Sequence, residues 1–324
     1  MNVYIAGIGS YVPDKVLTNF DLEKIVETSD EWIRTRSGIK ERRVSEDNVP
    51  TSELAANAAK RALESAKIKV DEVEAIIVAT ATPDMLFPST ACLVQHKIGA
   101  RRIISFDISA GCTGWLYALT IVESFIKNGY DNILVIGAEE LTKITDYTDR
   151  STCVLFGDAA GAALLKKTDE KRGILSTYYS ADGSYGHLLQ QPAGGSRIPA
   201  SHESVENKLH YLKMEGNEVF KVAVRAMYES AIETLKKVDI SPEQVDLLVP
   251  HQANIRIIEA TAKRLNIPMD KVGINLDKYG NTSAASIPIG LDEAAKAGRI
   301  KKGDLVLLVA FGAGFTWGGV LMRW

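Results

Sequence analysis

Apolar residues in this chain fall into two alternating patterns. Short unbroken runs such as Ala75–Val78 and Val306–Val309 read as strands buried on both faces, and Val245–Val249 reads as a further strand. Longer stretches repeat their apolar positions at helical spacing, as in Ser52 to Ala66 and Asn217 to Lys236. A third such stretch carries Trp115, Leu116, Leu119, Val122, Phe125 and Ile126 on one face. Strands alternating with helices predict parallel sheets covered by helices, an α/β fold. Met1 to Gly9 reads as a strand, because it lacks the basic start and apolar run of a secretory leader. No stretch approaches the roughly 18 apolar residues of a membrane span, so no membrane contact is expected.

The pattern occurs twice. Ile68 and Val73, which flank the start of one strand run, match Ile240 and Val245, each 172 residues later (240 − 68, 245 − 73). The segment from Asp131 to Ala138 matches Gly303 to Ala310 at the same offset (303 − 131). Each copy is preceded by one of the two long amphipathic helices. One offset shared by a helix and two strands points to a duplicated α/β unit. The predicted halves are 1–168 and 174–324. Each carries a long polar insertion before its first long helix, roughly 13–50 and 183–215. The first contains Trp32, Arg34 and Arg36. Insertions of this length predict functional flaps, and their equivalent positions put both on one side of the molecule.

Composition narrows the classes. A chain of 324 residues, 46% hydrophobic and 24% charged, has the content of an ordinary globular protein with two domain-sized units. A net charge of −3 gives no global basic field for nucleic acid. The three cysteines, Cys92, Cys112 and Cys153, have no metal-like spacing and cannot all pair. They predict no disulfide framework, no metal and a reducing, cytoplasmic setting. Cys92 and Cys153 lie in apolar runs and read as buried, inert thiols.

Cys112 has a different setting. In Ile103 to Trp115 an apolar run reads as a buried strand, small residues mark a tight turn, and a helix-like pattern follows with Trp115 on its face. A cysteine at that handover meets the helix dipole and free N–H groups, which favour a thiolate and can hold an oxyanion. Two further polar segments are read at strand ends: Pro250-His251-Gln252-Ala253-Asn254, and Lys278 to Ser286 with Gly280-Asn281-Thr282-Ser283 at its centre. Parallel sheets gather ligands beyond their carboxyl ends, so the topology brings all three to one rim. A fourth segment, Ala310 to Gly319, is dense in glycine and lets backbone N–H groups approach a substrate.

Each segment alone has a plainer reading. Cys112 is equally a packed structural cysteine, His251 a satisfied structural histidine, the Gly-Asn-Thr-Ser turn a helix cap and the glycine segment a tight turn. Their joint placement favours chemistry: acyl transfer through a Cys112 thioester, with His251 and Asn281 as two N–H donors. His96, His187, His202 and His210 have no such setting and read as structural or surface residues.

The chain resembles β-ketoacyl-acyl carrier protein synthase III, the initiating condensing enzymes of fatty-acid synthesis in the thiolase-like superfamily. The resemblance spans essentially all 324 residues. It rests on Gly111-Cys112-Thr113-Gly114, His251-Gln252-Ala253-Asn254, Gly280 to Ser286, Phe156 to Ala162 and Asp30-Glu31-Trp32-Ile33. It implies a duplicated thiolase-like α-β-α-β-α sandwich and a catalytic triad of Cys112, His251 and Asn281. Cys112 would take a short acyl group, with acetyl-CoA the expected donor. Malonyl-acyl carrier protein would then lose CO2, and the carbanion would attack the Cys112 thioester. Both donors are substrates, and no cofactor is implied. The resemblance also assigns coenzyme A binding to Trp32, Arg36, Arg150, Asn217, Phe220, Ala253 and Asn254. An indole face and a guanidinium are suited to sandwich adenine. Phe87 would cross the interface of a homodimer and close the acyl pocket. The family's glycine loop usually has three glycines, where this chain reads Gly312-Ala313-Gly314. Ala313 and Gly314 are the oxyanion candidates, and positive φ would be costly at Ala313.

An acidic carrier protein needs a local basic face on an acidic chain. Arg256, Lys263 and Arg264 fall on one helical stripe, and Lys221 with Arg225 extends it from the preceding long helix. The plainer alternative is a solvated face with Glu259 and Lys263 as an i, i+4 pair. A Cys-His-Asn hydrolase is a second class of reading, since His251 follows Cys112 by 139 residues (251 − 112) and Ala110-x-Cys112-x-Gly114 looks like a nucleophile elbow. Neither hydrolase type predicts a duplicated half. A thiolase proper would carry a second cysteine in the C-terminal glycine loop, but the last cysteine is Cys153. A condensing enzyme of a specialised pathway, such as polyketide initiation, also fits. A binding scaffold with an inert cysteine is told apart by whether Cys112 acylates.

Overall fold

The structure is a computed structural model and describes residues 2–324, so Met1 of the predicted first strand lies outside the described residues. Asn2–Tyr11 forms β1. The remaining elements of the first sheet follow in order: helix α1 (Thr51–Ala66), β2 (Ala75–Ala79), β3 (Ile104–Ile108), helix α2 (Gly114–Lys127), β4 (Ile133–Glu140) and β5 (Asp158–Thr168). The strand order is β1-β5-β4-β2-β3. The β2–β3 and β2–β4 pairs are parallel, and β5 runs antiparallel to both β4 and β1.

The second sheet repeats this plan. Its elements are β6 (Gly173–Ala181), α3 (Gly216–Lys236), β7 (Leu247–Pro250), α4 (Ile255–Arg264), α5 (Ser286–Lys296), β8 (Leu305–Gly312) and β9 (Thr316–Arg323). The order is β7-β8-β9-β6, with β7 and β8 parallel and the other pairs antiparallel. The offset of 172 carries Ala75 at the start of β2 to Leu247 at the start of β7 (247 − 75), and Ile133 of β4 to Leu305 of β8 (305 − 133). The counterpart of β3 has shrunk to one parallel bridge, Leu248 to Val272.

Alternation along the strands builds the layers. Ala75, Ile77 and Ala79 share one buried cluster with Leu247, Val249, Val306 and Leu308 of the second sheet. Trp115, Leu119 and Val122 of α2, with Ile287 and Leu291 of α5, fill that same cluster. The alternate positions Ile76 and Val78 pack outward against α1, and Leu248 and Leu307 pack outward with residues of α3 and α4. Helices, sheet, helices, sheet, helices is the α-β-α-β-α sandwich.

Two expectations need correction. The run from Ile103 is not a buried strand. As β3 it forms the sheet edge, partly exposed along its length, with Ile104 39% exposed. The apolar run is the same for an edge as for a centre, so sequence pattern cannot separate them. The segment Lys278–Ser286 does not follow a strand; it begins inside a one-turn helix, Leu276–Tyr279, that comes after the Val272 bridge.

Candidate active site

One cavity of about 880 Å3 is lined from both halves. Cys112, His251 and Asn281 all line it, as do Trp32 and Arg36 of the first insertion and Leu189, Gln190 and Met214 of the second. The two flaps therefore do face the same site.

Cys112 sits in a single turn of 3-10 helix, Gly111–Thr113, directly before α2. Gly111 has φ +51, which allows the turn after the strand end. The second half repeats the device: Ser283 has φ +47 in the turn before α5, 172 residues on (283 − 111). The nucleophile turn is tied to the β8–β9 hairpin by Thr113 and Thr316, whose hydroxyl oxygens are 2.6 Å apart, and Thr316 also donates to Ala110 O.

Cys112 as a residue is partly exposed, but its sulfur is desolvated and is not the ready thiolate the sequence suggested. Burial pushes it up from 9.0 to about 12, with the nearby Glu139 carboxyl adding to the rise and a Ser283 hydrogen bond opposing it. A helix terminus contributes about 0.3–1 kcal/mol, less than the roughly 1.4 kcal/mol that a tenfold change in thiolate fraction requires. Desolvation wins in the site without substrate.

His251 is 1% exposed, and burial pulls its imidazole down from 6.5 to about 3, so it is neutral near pH 7. Its Nδ1 lies 2.8 Å from Ser286 Oγ, and Phe311 meets the ring edge-on with centroids 6.1 Å apart. Its Nε2 makes no protein hydrogen bond among the described residues. Asn281 is fixed on both sides by the Phe156 segment: its N–H donates to Leu155 O, and its C=O accepts from Gly157 N. Its Oδ1 accepts from Ser283 N at 2.9 Å. That bond leaves the amide NH2 for a ligand. The site thus pairs a thiol with two neutral donor side chains, suited to a carbonyl oxygen that gains charge.

The glycine segment is a hairpin turn and also part of the site. Gly312 and Ala313 line the cavity; Gly314 is not among the lining residues. The expected strain at Ala313 is absent, because the positive φ falls on Gly314 (+143) instead. Ala313 itself sits at a position that needs no positive φ in this chain.

Asn217, Phe220, Ala253 and Asn254 line the cavity mouth with Trp32 and Arg36. Asn254 caps α4 through its side chain and also donates to Arg36 O, so it joins the flap to the helix. Arg150 lies outside the lining, with its guanidinium 4.9 Å from the Trp32 ring centre. The indole and guanidinium already touch, so a base entering between them must part them. Lys221, Arg225, Arg256, Lys263 and Arg264 are all exposed, on the packed helices α3 and α4. Arg256 and Lys221 line the cavity, and Arg256 stacks 5.5 Å from the Phe220 ring. Lys221 pairs with Glu218 at 2.7 Å, while no ion pair joins Glu259 to Lys263 among the described residues. Phe87 is 83% exposed beside Leu86 at 79%, and it lines no part of this cavity. Cys92 corrects a further expectation: it is exposed on helix Thr90–Ile98, its sulfur 3.6 Å from Ser105 O of the edge strand, whereas Cys153 is buried and pushed up to about 11.

Sequence reasoning gave Ser286, Ser283 and Glu139 no roles. Glu139 is fully buried and accepts from Thr80, Ala81 and Thr82. The repeat offset held the signal for two of them, since Ser283 and Ser286 answer to Gly111 and Gly114 of the nucleophile turn.

Among the described residues no cluster of metal-ligating side chains occurs, and no helix is long and apolar enough to cross a membrane. Residues 106–183 match the family described as 3-oxoacyl-[acyl-carrier-protein (ACP)] synthase III, and residues 235–324 match its C-terminal part. A protein of Caldanaerobacter subterraneus named beta-ketoacyl-[acyl-carrier-protein] synthase III is 59% identical over 321 residues, 99% of this chain and 97% of its own. The crystal structure of 3-oxoacyl-[acyl-carrier-protein] synthase III from Aquifex aeolicus is 52% identical, covers 100% of both chains and superposes with a TM-score of 0.92. The priming β-ketosynthase of the R1128 polyketide pathway is 31% identical over 99% of this chain and 96% of its own, also at 0.92.

Proposed function

The chain belongs to the 3-oxoacyl-[acyl-carrier-protein] synthase III family and is an acyltransferase of the initiating condensation in fatty-acid synthesis; on that premise we propose that Cys112, His251 and Asn281 divide the reaction between them. The observation that carries this reading is the pairing of one thiol with two neutral donors in a single cavity.

In the first half-reaction the Cys112 sulfur attacks the carbonyl of a short acyl-CoA. The C–S bond to coenzyme A breaks, the acyl group stays on Cys112, and the thiol proton leaves with coenzyme A. In the second, malonyl-acyl carrier protein loses CO2. The electron pair of the broken C–C bond becomes an enolate, whose oxygen takes N–H donors from His251 and Asn281. The carbanion attacks the Cys112 thioester, the new C–C bond forms and the Cys112 sulfur leaves as thiolate. One proton from solvent restores the thiol. The backbone N–H groups of Cys112 and Ala313 serve the oxyanion on Cys112. A neutral His251 suits this role, because it donates without taking the thiol proton.

Nucleotide binding falls to Trp32, Arg36 and Arg150, and the pantetheine arm runs past Asn217, Phe220, Ala253 and Asn254. The exposed Leu86–Phe87 pair supports a homodimer in which Phe87 closes the partner's acyl pocket. We read 1–168 as the half with the nucleophile and 174–324 as the half with the donors. No cofactor is required, and the cytoplasm is the expected compartment.

Intact mass and peptide mapping after exposure to a panel of acyl-CoAs test the reading and find the primer. The acyl mass should appear on Cys112 alone, and malonyl-acyl carrier protein should discharge it as 3-oxoacyl-acyl carrier protein. Cys92 is exposed and should react with a general alkylating reagent, yet not with acyl-CoA, because it lies outside the cavity. An acyl group on Cys92 or Cys153 would overturn the assignment.

A further inference from the structure

His251 has an intimate partner that the division of labour above leaves unused. Ser286 Oγ lies 2.8 Å from His251 Nδ1, and each residue is 1% exposed. This is the only hydrogen bond of the Ser286 hydroxyl among the described residues. Ser286 opens α5, where a serine hydroxyl often turns back onto a carbonyl of the preceding turn. Here it makes no such bond: Thr282 O accepts from Ala285 N and Ser283 O from Ser286 N, while the hydroxyl meets only the imidazole.

Two neutral arrangements of the pair exist. If Nδ1 carried the proton it would donate to Ser286 Oγ, and the buried hydroxyl hydrogen would have no acceptor. An unmade buried donor carries its full desolvation penalty. If the hydroxyl donates to the bare Nδ1, every buried polar atom of the pair is used, and the ring proton sits on Nε2. The partner of one ring nitrogen thus fixes the state of the other.

The duplicated fold supplies a second observation. The same two backbone positions in the first half are Ala79 (251 − 172) and Gly114 (286 − 172). A Cβ on Gly114 would come within 3.1 Å of the Ala79 Cβ. The two positions therefore face each other closely in both halves. One half fills them with a hydrogen atom and a methyl group, the other with a serine and a histidine.

We propose that Ser286 is a positioning residue that donates its hydroxyl hydrogen to His251 Nδ1 and locks the imidazole with its proton on Nε2, facing the cavity. The inference rests on the reading of His251 as an enolate donor and says what makes it one. A ring held in this tautomer always presents N–H to the cavity and has no free lone pair there to take the Cys112 proton. Ser286 should therefore matter for condensation and not for acylation.

The test is the 15N spectrum of His251 in the substrate-free full-length protein. With five histidines in the chain, the resonance is assigned by its loss in His251→Asn. Long-range proton–nitrogen correlation should show a bare Nδ1 and a protonated Nε2 in the wild type. A protonated Nδ1 would overturn the proposal whether or not any variant folds. Ser286→Ala should give a mixture of tautomers. Its condensation kcat should fall at least roughly tenfold, short of the ~10²-fold expected for deleting an oxyanion donor, with Cys112 acylation kept. Ser286→Thr should restore both the spectrum and the rate. Equal loss of acylation and condensation in Ser286→Ala, without rescue by threonine, would make Ser286 a packing residue and overturn the proposal. Normal condensation in His251→Ala would instead sink the enolate-donor reading and leave the tautomer measurement standing.

Discussion

A side chain on Gly312 would place its Cβ 2.5 Å from the backbone nitrogen of Cys112. The β8–β9 hairpin and the nucleophile turn are therefore in backbone contact, and only glycine permits it. Gly312→Ala should push the two apart and lower acylation and condensation together. A displacement of about 1 Å is enough for a roughly 10²-fold loss. Ala313→Gly should stay near wild type, because position 313 has no positive φ to relieve. Single-turnover acylation of both variants checks this. A fully active Gly312→Ala would mean that the hairpin yields freely.

Acylation should depend on pH through the thiol. Burial pushes Cys112 up to about 12, so the thiolate fraction rises about tenfold per pH unit below that value. Single-turnover acylation by acyl-CoA is expected to climb from pH 6 to 10 without a plateau. His251, pulled down to about 3, should add no inflection between pH 5 and 8. A plateau near neutrality would show that another group removes the proton before attack.

The layers were legible in the sequence through the repeat, and the site through polar segments at strand ends together with the family resemblance. Because the two copies share an offset of 172, segments far apart in the chain could be laid on one rim before any contact was known. What stayed hidden depends on neighbours that a linear pattern does not name. Ile104 is as apolar as a central strand residue, and only the absence of a strand beside it exposes it. Cys92 lies in an apolar-looking helix yet is exposed, because it faces the open edge strand at Ser105. The thiol's high value arises from desolvation, which outweighs the helix terminus that the sequence reveals. Ser286 needed a measured 2.8 Å to His251 before its place in the site could be read.

The nucleotide end of coenzyme A should engage Arg150 and Trp32, which touch at 4.9 Å in the substrate-free site. Arg150→Ala is expected to raise the KM for acyl-CoA severalfold, since a cation–π contact at an exposed site is worth about 0.5–1 kcal/mol. Acylation by a truncated acyl-pantetheine should be spared. Steady-state acylation with both donors separates the outcomes, and equal losses would give Arg150 a folding role.

Carrier-protein docking should run through Arg256, which is exposed at the cavity mouth and held over Phe220. Arg256→Glu is expected to raise the KM for malonyl-acyl carrier protein at least roughly tenfold by setting like charges against each other. Cys112 acylation by acyl-CoA should stay near normal. The wild-type KM should also rise with salt, because exposed charges are screened. Normal handling of carrier protein by the variant at low salt would remove Arg256 from the docking surface.

The separation of the two half-reactions is the most direct test of the roles given to His251 and Asn281. Each is replaced by alanine, and acylation of Cys112 is followed by intact mass beside condensation with malonyl-acyl carrier protein. Both variants should load the acyl group at close to the wild-type rate and lose at least ~10²-fold in condensation, the usual cost of one oxyanion donor. Acylation failing as badly as condensation in His251→Ala would make His251 the base for the Cys112 thiol and contradict its assignment as a neutral donor.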